Sequence, residues 1–570
     1  MSASHPGSEK KYKMIEERDV MVPMRDGVKI AVDIFRPDDS DKFPALLAMS
    51  PYSKGIQSMP LAIQPDRSSI HHTPTEAGNP VYFAEHGYIH IIADVRGMGQ
   101  SEGEYLGWVS PQEAQDGYDL IEWIAEQPWC DSQVGMVGIS YFGTVQLLVA
   151  AQQPPHLKGI MPWNAPADFY RESTHHGGIL QSFFYYLYVQ RICADNSTSV
   201  VVKENSKEEL KRIVAELKAD PEIQINPEIF TYVDSPGKAP NYFDILANPH
   251  DGPYYWERSP RTMYDKIKVP TWARSGWWAY AHMHLVGAFH NYNGIDVPKK
   301  LEIDAPIVEK RPLPDDYCEE VLRWYDYWLK GIDTGIMDEP PIRFFVNGTE
   351  EWRYEEEWPL ARTEWSKLYL RRWEELSWEP EDVNGKPDAF VQQPPDEVLD
   401  SNVLKYETDV FKEDVEITGP ASITLYASID QPDTHWIVSL RDVYPDGSQQ
   451  ELTKGFLKAS HRAVDEEKSK PYEPFHPHLE EVPVKPNEIC EYAISLAPLS
   501  NIFQAGHKIR IVISSLDHAR SRDYELAPES LGRTHAPWHI SCADTVLHKI
   551  YHDEEHPSHL LLPIIPAKQN

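Results

Sequence analysis

The stretch "GMVGISYFGTVQLLVA" (Gly135–Ala150) decides how this chain is read. "QVGMVGIS" is a short apolar run of the kind that forms a buried strand, and "YFGTVQLLVAAQQ" is a helix that stops before Pro154 and Pro155. Between them Ser140 stands at a bend with Gly138 before it and Gly143 after it. A strand–turn–helix elbow holds a serine hydroxyl clear of its own backbone, beside the amino end of the helix, where N–H groups face any oxyanion formed in acyl transfer. An ordinary βα turn that happens to contain serine has the same local pattern. The general G-x-S-x-G motif is only partly met, because position 142 is Phe and the second glycine is Gly143. The rest of the chain must separate the two readings.

On both sides of the elbow the rhythm is that of a covered parallel sheet. "VMVPMRDGVKIAVDIFRP" predicts a hairpin turning at Asp26 and Gly27, and "FPALLAMSPY" and "YIHIIADVRG" are continuous apolar strands. Leu120, Ile121, Ile124 and Ala125 share one face of a helix over Glu113–Gln127, and "LKGIMPW" is a further strand. The rhythm breaks from Ala165 to Asp265, where Ser206 and Glu209 form an S-x-x-E box before a helix with a Leu210, Ile213, Val214 and Leu217 stripe. It resumes with "KVPTWARSGWW", "KKLEIDAP" and the helix "CEEVLRWYDYWLK". Beyond Glu339, "ASITLYASI" and "HKIRIVISS" alternate as strands do, and "YPDG" is a turn, which predicts an all-β sandwich. Asp465–Pro486, acidic and proline-rich, is expected to be a long surface loop. The expected fold class is α/β, with a covered parallel-sheet domain at 17–165 and 266–338, a helical cap inserted at 166–265, and a β-sandwich at 339–570.

Composition narrows the partners. The chain has 570 residues, too many for one core, and 54 basic against 89 acidic residues give a formal charge of −35. Nucleic acid and anionic membrane surfaces are bound by excess Lys and Arg, so both are excluded as expected partners, leaving a small-molecule substrate. Assembly into a homo-oligomer is compatible with the sequence. The five cysteines are scattered without a CxxC pair, which argues against a disulfide framework or a zinc cluster. The pairs His71 and His72, His175 and His176, and His282 and His284 lack the spacing of a zinc site. No metal and no cofactor are therefore expected. The start "MSASHPGSEKKYK" has no apolar signal core, and a cytoplasmic location is the expectation.

In order along the chain, "MRDGVKIAVDIFRP", "SPYSKG", "DVRGMGQSEG", "GISYFG", "LRWYDYWLKG" and "HPSHLLLP" together resemble the CocE/NonD hydrolase family, the group of cocaine-esterase-like and X-prolyl dipeptidyl-peptidase-like enzymes. The resemblance runs over about residues 17–565 and implies an α/β-hydrolase domain, a helical cap and a C-terminal jelly roll. It implies Ser140 as nucleophile, with an oxyanion hole made by the backbone N–H of Tyr141 and the hydroxyl of Tyr52. Tyr52 lies just past an inner strand, on the edge where α/β active sites gather.

The family pattern then fails at two points. Its members usually carry the acid in a "G-W-x-D" loop, where this chain reads "SGWWAYAHMHLVGAFH" with Ala279 or Tyr280 at that place. They usually carry the histidine in a "G-P-W-x-H" loop, where this chain reads "IDAPIVEKRP". A serine needs a base and the base needs an orienting carboxylate. One solution exchanges the loops: His284 or His282 is the base and Asp304 the acid. An extended loop would point both histidines the same way. The expected function is a serine hydrolase that cleaves an ester, lactone or amide of a small, apolar substrate through a Ser140 acyl-enzyme. The alternatives are a lyase, isomerase or condensation-type enzyme that uses the oxyanion hole without a full triad, or a non-catalytic binding protein. The aromatic run Phe183–Tyr188 is read either as cap core or as the wall of an acyl pocket.

Overall fold

The computed structural model describes residues 7–58, 76–181, 196–277, 282–305, 314–381, 384–393, 402–516 and 539–567. Its first sheet has ten strands: β1 (Met14–Pro23), β2 (Lys29–Pro37), β3 (Phe43–Ser50), β4 (Ile89–Asp94), β5 (Cys130–Met136), β6 (Leu157–Ile160), β7 (Thr271–Gly276), β8 (Lys299–Asp304), β9 (Ile342–Val346) and β10 (Glu351–Glu355). They lie in the order β1-β2-β4-β3-β5-β6-β7-β8-β9-β10. From β4 to β9 every pairing is parallel, and antiparallel strands close each edge. The predicted turn at Asp26 and Gly27 joins β1 to β2, whose register runs from Met14 opposite Pro37 to Pro23 opposite Lys29.

Parallel strands need crossovers, and these bury both faces of the sheet. Leu47 and Met49 of β3 join one core with Leu120, Ile121 and Ile124 of α1 (Pro111–Ala125) and Leu147 and Leu148 of α2 (Tyr141–Ala151). The alternate residues Leu46 and Ala48 join a core on the other face with Trp324 and Tyr325 of the helix over Pro314–Lys330. Helix α1 starts two residues earlier than its periodicity implies. Ser110 and Glu113 form a reciprocal capping box there, with Pro111 in the first turn.

Between β6 and β7 the chain leaves the sheet and forms short helices, among them α3 (Lys207–Ala219) and α4 (Pro240–Leu246). Ser206 caps α3 by accepting from the Glu209 N–H, and of the expected stripe Leu217 is buried while Leu210, Ile213 and Val214 pack partly buried. The aromatic run Phe183–Tyr188 lies outside the described residues. Two further helices, α5 (Leu285–Gly294) and α6 (Pro314–Lys330), follow β7 and β8.

The C-terminal part is all-β, with strands from Glu364–Arg371 to His559–Ile565 around its own core. Ile423, Leu425, Ala427 and Ile429 are buried alternately with half-buried Thr424 and Tyr426, as are Ile509, Ile511 and Ile513. The first sheet continues past the expected boundary at 339, because β9 adds in parallel to β8 and β10 closes it. Among the described residues no helix is long and apolar enough to cross a membrane.

Candidate active site

Ser140 is the turning point between β5 and α2. Its backbone has φ 61 and ψ −113, a conformation that side chains rarely adopt. Neighbouring contacts hold it there: the Ser140 N–H donates to Trp163 O at 2.8 Å, and the Ile139 N–H donates to Glu76 O at 3.0 Å. The two flanking glycines are needed for closeness. A Cβ at Gly138 (φ +131) would lie 2.3 Å from Phe142 Cβ, and one at Gly143 would lie 2.5 Å from Trp163 O. Tyr141 opens α2, so its N–H is among the four that a helix leaves unpaired, at the positive end of the helix dipole.

The hydroxyl has an imidazole beside it. Ser140 Oγ lies 3.1 Å from His284 Nε2, with His284 buried just ahead of the first turn of α5. His282 is placed differently. Residues 282–284 form a turn rather than an extended strand, so the two side chains diverge. His282 Nε2 donates to Lys454 O at 2.7 Å, and its ring packs against His176 and Phe456. It faces a cavity between α5 and the all-β part whose wall also includes Phe289, His290, Trp358 and Glu473 but does not include Ser140. The extended loop that would point both histidines the same way is replaced by this turn.

Asp304 ends β8 opposite Gly276, the last residue of β7, and the Trp277 N–H donates to Asp304 O at 3.1 Å. The strand register thus sets Asp304 beside the loop that carries His284. Its carboxylate also lies 3.6 Å from Arg274 Nη2, a buried guanidinium stacked over Trp163 and paired with Glu302 at 2.5 Å. Ala279, Tyr280 and residues 306–313 lie outside the described residues.

Tyr52 follows the end of β3, its ring edge-on to Tyr141 at 5.7 Å and Phe142 at 6.3 Å. The turn is pinned from below. The Tyr52 N–H donates to Ser50 Oγ, the Lys54 N–H donates to Asp94 Oδ1 at 2.7 Å, and the buried Lys54 ammonium reaches Asp33 at 2.9 Å.

One participant escaped the sequence reading. The Tyr141 hydroxyl donates to Glu113 Oε2 at 2.6 Å and accepts from the Val109 N–H at 3.0 Å. Burial pushes the Glu113 carboxyl up to about 8, against the opposing hydrogen bonds from Tyr141 and Ser110. This buried carboxyl ties down the ring of the residue that opens α2. Its signal was present in the sequence: "SPQE" is the same S-x-x-E box that marks the helix at Ser206.

Residues 26–305 match the X-Pro dipeptidyl-peptidase (S15 family) model, and residues 334–561 match the X-Pro dipeptidyl-peptidase C-terminal non-catalytic domain. Cocaine esterase of Rhodococcus sp. (strain MB1 Bresler) is 28% identical over 96% of this chain and 98% of its own. The chain belongs to the CocE/NonD hydrolase family. A CocE/NonD family hydrolase from Staphylococcus aureus superposes with a TM-score of 0.75 at 23% identity, over 97% of this chain and 94% of that one. An aminopeptidase from the marine sediment archaeon Thaumarchaeota archaeon gives 0.73 at 18% identity, over 99% and 98%. These two structures share the fold, an α/β-hydrolase domain with an all-β C-terminal domain. This CocE/NonD hydrolase is a serine hydrolase, so the lyase-type and purely binding readings fall away. In it the histidine nearest the elbow serine comes from the loop after β7, where the family pattern leads one to expect the acid.

Proposed function

We propose that this CocE/NonD hydrolase cleaves an ester, lactone or amide of a small, apolar molecule through an acyl-enzyme on Ser140, with His284 as base. The 3.1 Å approach of Ser140 Oγ to His284 Nε2 carries the reading. His284 Nε2 accepts the hydroxyl proton as Oγ attacks the carbonyl carbon, and the carbonyl π pair moves onto oxygen. The Tyr141 N–H and the Tyr52 hydroxyl donate to that oxyanion, and the imidazolium returns its proton to the leaving group as the tetrahedral centre collapses. Water, deprotonated by the same imidazole, then releases the acid and restores the serine.

Asp304 is the proposed acid of this set. Its support is the strand register that places it beside the His284 loop; Arg274 shares its carboxylate. Aromatic rings dominate the ground around the elbow: Tyr52 and Trp108 both meet Tyr141, and Trp108 stacks parallel on Phe169. Such walls favour apolar acyl or alcohol groups.

A fluorophosphonate probe followed by peptide mapping tests the reading. Label is expected on Ser140 and is expected to disappear in His284→Ala while persisting in His282→Ala. Folded protein that takes no label, or label that survives His284→Ala, refutes the assignment.

A further inference from the structure

Apart from the Ser140–His284 pair, a second group of histidines gathers where the cap meets the all-β part. His250 follows α4, His461 ends a short 3-10 turn (Ala459–His461), and Glu481 lies in the long loop beyond it. One donor atom from each falls within 4.8 Å of the other two, and His461 Nε2 is already 3.7 Å from Glu481 Oε1. Tetrahedral zinc, with bonds of about 2.0–2.1 Å to N and O, holds its donor atoms about 3.4 Å apart. The observed spacing is thus within a side-chain adjustment of a coordination sphere.

We infer that His250, His461 and Glu481 form a binding site for a zinc-type divalent transition-metal ion that clamps the cap to the all-β domain. Two imidazoles and one carboxylate, with water as fourth ligand, suit zinc or cobalt, whereas magnesium and calcium prefer oxygen alone. His250 Nε2 is shut off from solvent and has no hydrogen-bond partner among the described residues. A shielded ring nitrogen without a partner wants a ligand. His461 is buried, and its other nitrogen, Nδ1, lies 3.1 Å from His478 Nδ1. One of these two nitrogens must carry a proton. With the proton on His461, Nε2 presents its lone pair to the cluster, and His478 serves as the outer partner that orients a ligand histidine.

The scaffold is rigid on both sides. Pro249 O accepts the Tyr170 hydroxyl at 2.8 Å, the Asp251 N–H donates to His478 O at 3.0 Å, and Arg171 bonds Asp251 at 2.7 Å. Gly178 makes room for the His461 ring, since a Cβ there would lie 2.7 Å from it. The Lys458 ammonium lies on Glu481 Oε1 at 2.9 Å, and it also faces Glu222 at 3.4 Å and Asp433 at 3.8 Å. Three carboxylates to one ammonium leave negative charge to draw a cation.

The test uses the full chain, stripped of metal by chelator and titrated with Zn2+ calorimetrically and with Co2+ by visible absorption. One ion per chain, the d–d band of four-coordinate cobalt and a melting temperature that climbs with added Zn2+ are expected. His250→Ala and Glu481→Gln should each weaken Zn2+ binding by at least about tenfold. Both should leave ester turnover unchanged, because neither residue approaches Ser140. Absence of one-to-one binding, or binding equally tight in both variants, overturns the site and leaves a hydrogen-bonded histidine cluster.

Discussion

At the scale of single residues the strongest consequence concerns two histidines two positions apart. His284 touches Ser140 and His282 spends its N–H on a backbone carbonyl. His284→Ala is therefore expected to lower kcat on a nitrophenyl ester by several orders of magnitude, comparable to Ser140→Ala and on the order of 10⁶. His282→Ala is expected to stay within about threefold of the parent, since it removes a packing contact and leaves the reacting atoms in place. Steady-state kinetics on the three variants decides this. Tyr52→Phe removes the proposed oxyanion donor and keeps the ring that packs on Tyr141 and Phe142. It should cost about 10²–10³ in kcat with KM little changed, because the lost hydrogen bond forms only as charge develops. Equal loss in KM would assign Tyr52 to substrate binding instead.

The element that matters most is the β5–elbow–α2 unit, together with the helix packed beside it. Gly143→Ala places a methyl 2.5 Å from Trp163 O, the same carbonyl that holds the Ser140 N–H. The expected result is about 1–3 kcal/mol of destabilisation with a larger fall in turnover, measured by denaturant unfolding and ester hydrolysis. Glu113 joins α1 to this unit through Tyr141. Its folded pKa of about 8 lies above its ordinary 4.5, so the native state holds a proton that the unfolded chain releases. That contribution to stability is complete below pH 4.5 and is lost as pH rises through 8. Glu113→Gln, an uncharged amide in the same shape, should flatten this part of the melting-temperature profile. An unchanged slope between pH 5 and 8, bounds chosen inside that window of about 4.5–8, would show that Glu113 is ionised in the folded protein.

Across the whole molecule the hydrolase and all-β parts are joined at α5. His290 Nδ1 meets Glu172 of the segment after β6 at 2.6 Å, and its Nε2 meets Glu473 of the all-β loop at 2.7 Å. Burial alone would lower its pKa, but the two carboxylates outweigh burial and raise it from 6.5 to about 10. Its stabilisation is thus fully present below pH 6.5 and disappears as pH climbs through 10. His290→Gln should melt below the parent at pH 6 (~pH 6, just under the unfolded histidine value), and the gap should close above about pH 10. Differential scanning calorimetry across that range reads both arms, and a gap independent of pH would reduce His290 to a packing residue.

Much of this was written along the chain, for physical reasons that act locally. Alternation at Ile423–Ile429, continuous apolar runs in β3 and β4, the capping box at Ser110, the capping serine Ser206, and glycines around Ser140 each report the periodicity or backbone geometry of a few neighbouring residues. These patterns determine the α/β and all-β classes and the elbow itself. Which histidine faces Ser140 is not local. It depends on whether residues 282–284 turn or extend, and that is settled by where α5 packs against β7 and the all-β part. The same holds for Glu113, Asp304, Glu473 and the His250–His461–Glu481 group. Their partners lie tens to hundreds of residues away, and only the closed fold brings those charges within range of one another.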